Sequence, residues 1–204
     1  MLFHGSKSGV EGPIDPFRSR ANNDMGSGFY CGETLEQASM FVANYPDSSV
    51  YMIELDDRGL RCEAFGVDLN WMLTVALCRG RLKRYEHHKR LDELGELLAC
   101  ADVVIAPIAD NRMYEIINDF CEGEITDVQC MHALSVTDLG MQYVMKTERA
   151  TGALTVLEQC YLCEPEKVSC LEKSRELATV GLDKVKAARR KYRGQGRYVE
   201  EIFV

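Results

Sequence analysis

The chain has 204 residues, enough for one domain with a helical appendage and cramped for two. A hydrophobic share of 46% and a charged share of 27% lie in the ordinary globular range, which excludes disorder and a membrane-spanning chain. The 24 basic and 32 acidic side chains leave a net charge of −8, which opposes adhesion to nucleic acid or anionic lipid over most of the surface.

No run approaches the ~20 apolar residues that cross a bilayer, and the opening Met1 to Gly5 lacks the basic and apolar regions of a signal peptide. A cytoplasmic location is therefore expected. Nine cysteines at irregular spacing suit a reducing compartment, so no disulfide is expected. Cys160, Cys163 and Cys170 offer three thiols where a structural zinc site needs four ligands, and no metal is expected.

In chain order, Leu2-Phe3-His4 reads as a short strand, followed by a long loop through Asn23 rich in Gly, Pro, Ser and Asn. Gly28 to Cys31 is a second strand. Glu33 to Asn44 has helical periodicity, with Thr34 available as a cap. Val50 to Leu55 and Arg61 to Gly66 read as strands, and Asp68 to Cys78 as an apolar helix with Asp68 near its start.

A charged helix is expected from Tyr85 to Cys100, with His87 and His88 on its solvated face. Asp102 to Pro107 is a buried strand, then Met113 to Cys121 and Thr126 to Ser135 are helices, with His132 lacking a partner in the sequence. Gln142 to Thr147 is expected as the last strand. From Glu148 to about Arg193 the chain reads as helical, broken near Glu164-Pro165 because proline disfavours the preceding turn.

Strands interspersed with helices, without regular strand and crossover alternation, give an α+β class. No glycine-rich dinucleotide fingerprint follows a strand, so any dinucleotide site must be of another kind. The segment Lys184 to Arg197 carries seven basic residues. It reads either as a solvated helix end suited to the helix dipole or as a contact for an acidic partner or nucleic acid.

Three separated pieces, Phe3-His4-Gly5-Ser6, Gly26-Ser27-Gly28-Phe29-Tyr30 and Gln142-Tyr143-Val144-Met145, stand in an informative order. They resemble the motifs of the diphtheria-toxin and poly(ADP-ribose) polymerase branch of the ADP-ribosyltransferases. A closer resemblance is to a bacterial family of unassigned function. That family shares the opening, the Asp-x-Gly-x-Gly-Phe-Tyr run seen from Asp24 to Tyr30, the Ala-Asp-x-Arg run from Ala109 to Arg112, and the Gln-Tyr-Val strand. The likeness spans residues 1 to 157, leaving 158 to 204 as a C-terminal helical extension.

The resemblance implies split mixed β-sheets with flanking helices and a cleft that holds NAD as substrate. It gives Gly5 a grip on the nicotinamide carboxamide, close approach being allowed because glycine has no Cβ. His4 would hydrogen-bond a ribose hydroxyl, and Ser6 would lie beside it in the opening. Tyr30 would stack on the nicotinamide ring, over a loop bent at Gly26 and Gly28. Taken singly, His4 reads as a terminal histidine and Tyr30 as a core aromatic.

Gln142 stands where this branch carries a catalytic glutamate. Its amide can orient a ribose hydroxyl but supplies no anion for an oxocarbenium-like transition state. Poly(ADP-ribose) elongation is therefore not expected. The missing charge would come from Asp110, which reads equally as a helix N-cap before Met113, or from Asp24. Arg112 would either grip the pyrophosphate or pair with Glu115.

The resulting expectation is a mono-ADP-ribosyltransferase that releases nicotinamide and modifies an unknown macromolecular acceptor. Two other readings stand beside it: an NAD glycohydrolase, and a noncatalytic nucleotide-binding or interaction module. Related folds often act as toxins or effectors, which by analogy implies a neighbouring antitoxin protein as a partner.

Overall fold

The computed structural model describes residues 1–109, 111–135 and 139–204, without the side chains of 111, 112, 178 and 180–182. Seven strands form one mixed sheet in the order β4-β5-β6-β2-β1-β3-β7. They are β1 (Leu2–Ser6), β2 (Phe29–Gly32), β3 (Ser49–Leu55), β4 (Cys62–Ala64), β5 (Val103–Pro107), β6 (Met141–Met145) and β7 (Leu154–Tyr161). Only β4 and β5 pair in parallel; every other neighbour is antiparallel. The class is α+β.

The sheet is continuous but narrows at one seam. β1 pairs with β3 along all five of its residues, yet meets β2 at the single register pair Phe3↔Gly32. The two sheets expected from the resemblance are thus one sheet joined by a single rung. Continuing the register would set His4 opposite Cys31 and Gly5 opposite Tyr30, but the ladder stops at Phe3↔Gly32.

The helices include α1 (Leu35–Val42), α2 (Leu69–Cys78), α3 (Lys89–Cys100), α4 (Asn111–Cys121) and α5 (Asp127–Leu134). Thr34 and Thr126 each close a reciprocal capping box, with Gln37 and Gln129, and Asp68 accepts from the Trp71 N–H. The main core lies on one face of the sheet. There Trp71, Met72, Ile117, Phe120 and Leu134 pack against Val104, Ala106 and Val144 of the strands. A smaller core on the opposite face gathers Leu2, Cys31, Tyr51, Ile53, Val103 and Met145.

Several expectations are corrected. The helix read from Glu148 onward is only α6 (Glu148–Gly152); the chain then extends as β7, held by pairing with the whole of β3. β6 is accordingly not the last strand, and the boundary drawn after residue 157 falls inside β7. Glu164-Pro165 opens a helix instead of breaking one: α7 (Glu164–Lys191) has its proline in the first turn, where no helical N–H is lost. The charged helix starts at Lys89, not Tyr85, because His87 takes a φ of +71° and the His88 ring accepts from the Arg90 N–H as cap. Neither histidine lies on a helix face.

The C-terminal segment packs on the same core as the rest. Ala188 of α7 and Val199 and Ile202 of α8 (Val199–Ile202) are buried in the main cluster. The His132 ring stacks on Tyr192 with centroids 3.6 Å apart. The basic stretch is partly consumed internally, Arg189 pairing with Asp119 at 2.8 Å and Arg197 with Asp127 at 3.7 Å. Among the described residues no helix is long and apolar enough to cross a membrane.

Candidate functional site

At the seam between β1 and β2 opens a cleft of about 750 Å³. His4, Gly5 and Ser6 of β1, Gly28, Phe29 and Tyr30 around the start of β2, and Gln142 of β6 all line it. Three motifs, the last more than a hundred residues beyond the first two, therefore converge on one concave surface. The floor comes from the strands, one wall from Gln37, Ala38 and Phe41 of α1, and the rim from the loop between β1 and β2.

His4 fills the seam. Its Nδ1 donates to the Tyr30 main-chain carbonyl at 2.7 Å, taking up an acceptor that the interrupted ladder leaves. A carbonyl can only accept, so Nδ1 carries the proton and Nε2 is an acceptor. The imidazole stacks on Phe29 at 4.1 Å. Burial lowers its pKa below the ordinary value, outweighing the Tyr30 hydrogen bond that raises it, and the ring is neutral near pH 7.

Gly5 is required by α1. A Cβ there would lie 2.6 Å from the Ala38 carbonyl oxygen and 2.8 Å from Val42. The Ser6 hydroxyl donates to the Gly9 carbonyl at 2.8 Å and tucks the rim loop against the strand.

Tyr30 holds its own loop. Its hydroxyl donates to the Gly26 carbonyl at 2.6 Å and accepts from the Met25 N–H at 3.2 Å, while Gly26 turns with a φ of +74°. The Gly28 N–H donates to the Ser19 hydroxyl at 2.9 Å. Burial, the largest influence, raises the Tyr30 pKa far above the phenolic range, so the group is a fixed neutral donor.

Gln142 is 7% exposed, and its Nε2 donates to the Pro107 carbonyl at 3.0 Å. Asp24, also 7% exposed, lines the same cleft and accepts from the Arg79 guanidinium, the Nε of Arg79 at 2.9 Å. Burial pushes the Asp24 carboxyl up, opposed by the charge and hydrogen bonds of Arg79. Asp24 is thus in the cleft wall, as one of the two carboxylates considered for it, and it arrives already paired with a cation.

Asp110 and the Arg112 side chain lie outside the described residues. Arg79, which sequence reasoning missed, follows α2 as its C-cap residue and stacks over Tyr114 at 4.8 Å. A cation directly ending a mostly apolar helix was the signal available for it. Among the described residues no group of three or more His, Cys, Asp or Glu is arranged to hold a metal ion.

A family described as "Protein of unknown function (DUF3990)" matches residues 1–156. The chain belongs to this family. Curated proteins and solved structures give no match. The DUF3990 match ends inside β7, so it covers the whole cleft and stops short of α7 and α8.

Proposed function

We propose that the cleft binds NAD as substrate and that the protein is a mono-ADP-ribosyltransferase. One observation carries this reading: His4, Tyr30 and Gln142, matched to the ADP-ribosyltransferase motifs on three neighbouring strands, line a single cleft at the one-rung seam. Its volume of about 750 Å³ is within the ~300–1,000 Å³ of small-molecule sites.

The β1 backbone at Gly5 offers N–H and C=O groups for the nicotinamide carboxamide. The neutral His4 presents Nε2 to a ribose hydroxyl, and Tyr30 presents its ring to the pyridinium face. The bond between the ribose carbon and the nicotinamide nitrogen then breaks heterolytically. Its electron pair leaves with nicotinamide, whose nitrogen already carried positive charge and needs no acid. An acceptor nucleophile attacks the ribosyl cation and loses its proton to solvent.

The Asp24–Arg79 pair favours a second reading. With its nearest buried carboxylate neutralised, the cleft suits a noncatalytic nucleotide-binding module. Mass spectrometry separates these readings after NAD, purified protein and cell lysate are combined. ADP-ribose attached to a macromolecule supports the transferase, and free ADP-ribose alone a glycohydrolase. Intact NAD bound without turnover supports the binding module.

A further inference from the structure

We propose that Asp24 and Arg79 exchange partners when a dinucleotide enters the cleft: the guanidinium passes to a phosphate of the ligand, and the carboxylate meets its cationic nicotinamide ring. The cleft thereby selects the oxidised ligand, which carries both charges, over the reduced one. The choice of ligand rests on reading the cleft as an NAD site.

The pair stands where a ligand can reach it. Both residues line the cleft, and the other charged residues lining it, Lys7, Glu11, Asp15 and Arg18, are exposed on the rim loop. The two partners are held unequally. Asp24 sits in a turn fixed through its backbone neighbours: the Gly26 N–H donates to the Asn23 carbonyl at 3.0 Å, the Met25 N–H donates to the Tyr30 hydroxyl at 3.2 Å, and the Met25 carbonyl accepts from Lys146 Nζ. Its side chain is 9% exposed. Arg79 has a fixed backbone as the C-cap of α2, but its long side chain is 26% exposed. Its Nε and Nη2 both donate to the one oxygen Oδ1, instead of forming the two-oxygen fork that makes a guanidinium–carboxylate pair strongest. The guanidinium also lies over the Tyr114 ring at 4.8 Å, so leaving Oδ1 does not strip it of every contact.

Charge decides which ligand can open the pair. Removing one partner of a buried ion pair leaves the other uncompensated, which is costly. A ligand that brings phosphate alone takes Arg79 and strands Asp24, and a dinucleotide with a neutral dihydronicotinamide ring does the same. Oxidised NAD brings a pyridinium and a pyrophosphate together, so each member of the pair gives up one opposite charge and receives another. The planar donors of Arg79 match phosphate oxygens, and the stranded carboxylate is the repulsive element that disfavours the wrong ligand.

Calorimetry on the full chain tests this with the carbocyclic analogue of NAD, which keeps the pyridinium and resists cleavage, and with its reduced form. Wild type binds the oxidised form at least about tenfold more tightly, and Asp24→Asn brings the two within about twofold. Equal affinities in wild type overturn the proposal without any variant, as does a preference that Asp24→Asn retains. Inorganic pyrophosphate tests the exchange without nicotinamide. Asp24→Asn, with Arg79 set free, binds it at least about tenfold more tightly than wild type, and adding Arg79→Met abolishes the gain. No gain in Asp24→Asn overturns the exchange, and so does a gain that the double variant keeps, since loss of a repelling carboxylate would then account for it. If neither dinucleotide binds, the NAD site is refuted, and the pyrophosphate arm decides the exchange by itself.

Discussion

His4 Nδ1 donates to the main-chain carbonyl of Tyr30 at 2.7 Å, across the seam where the ladder between β1 and β2 has stopped. One side chain therefore satisfies a backbone acceptor that the interrupted ladder leaves, and in doing so fixes its own tautomer with Nε2 as acceptor. His4→Ala removes that bond and the stack on Phe29. A loss of about 1–2 kcal/mol in stability is expected, with the fold retained. NAD affinity should fall about tenfold in calorimetry on the folded variant, and unchanged affinity would remove His4 from the site.

The same histidine gives a pH dependence with a defined sign. Its pKa is lowered in the folded protein from the ordinary 6.5, so the unfolded chain binds the proton more readily. The stabilisation from the neutral ring is present above pH 6.5 and is lost as pH falls below it. Denaturation midpoints of wild type and His4→Ala should converge on going from pH 7.5 to pH 5. Parallel curves would show that burial does not perturb this ring.

Gly5→Ala tests the close approach of α1 to β1. A methyl group 2.6 Å from the Ala38 carbonyl oxygen meets backbone that cannot rotate away, so α1 must shift. Urea denaturation should register a loss of about 1–3 kcal/mol, with Gly95→Ala, whose added carbon meets nothing within 4 Å, as the control.

Arg79→Met leaves the Asp24 carboxylate in the wall without its cation. Because the Arg79 side chain is about a quarter exposed, the expected cost is about 2 kcal/mol, below the range for fully buried pairs. The cost should shrink at low pH, where Asp24 takes up a proton and no longer requires a partner. Adding Asp24→Asn should recover part of the loss, and an additive double variant would contradict the coupling.

Much of this architecture was legible because it is local. Thr34, Asp68 and Thr126 announce helix starts by their own side chains, and the strand periodicity of residues 50–55 survives without context. What was not legible depends on distant partners. β7 follows a helix without a clean alternation, and only pairing with β3, roughly a hundred residues earlier, makes it extended. His88 acts as a cap because His87 turns the chain, which a run of charged residues conceals. In the site, the residue types at 4, 30 and 142 were readable from their motifs. The pairing of Asp24 with Arg79 across 55 positions was not, since neither residue signals the other.

The central claim is that NAD is cleaved in this cleft, and nicotinamide release measures it most directly. Purified wild-type protein with NAD and cell lysate should release nicotinamide, and His4→Ala and Gln142→Ala should release it at least about tenfold more slowly while remaining folded. Gln142→Glu should also be slower, because it adds a second carboxylate to the cleft that Asp24 lines. No release by wild type with or without lysate, or equal release by all three variants, would contradict the account.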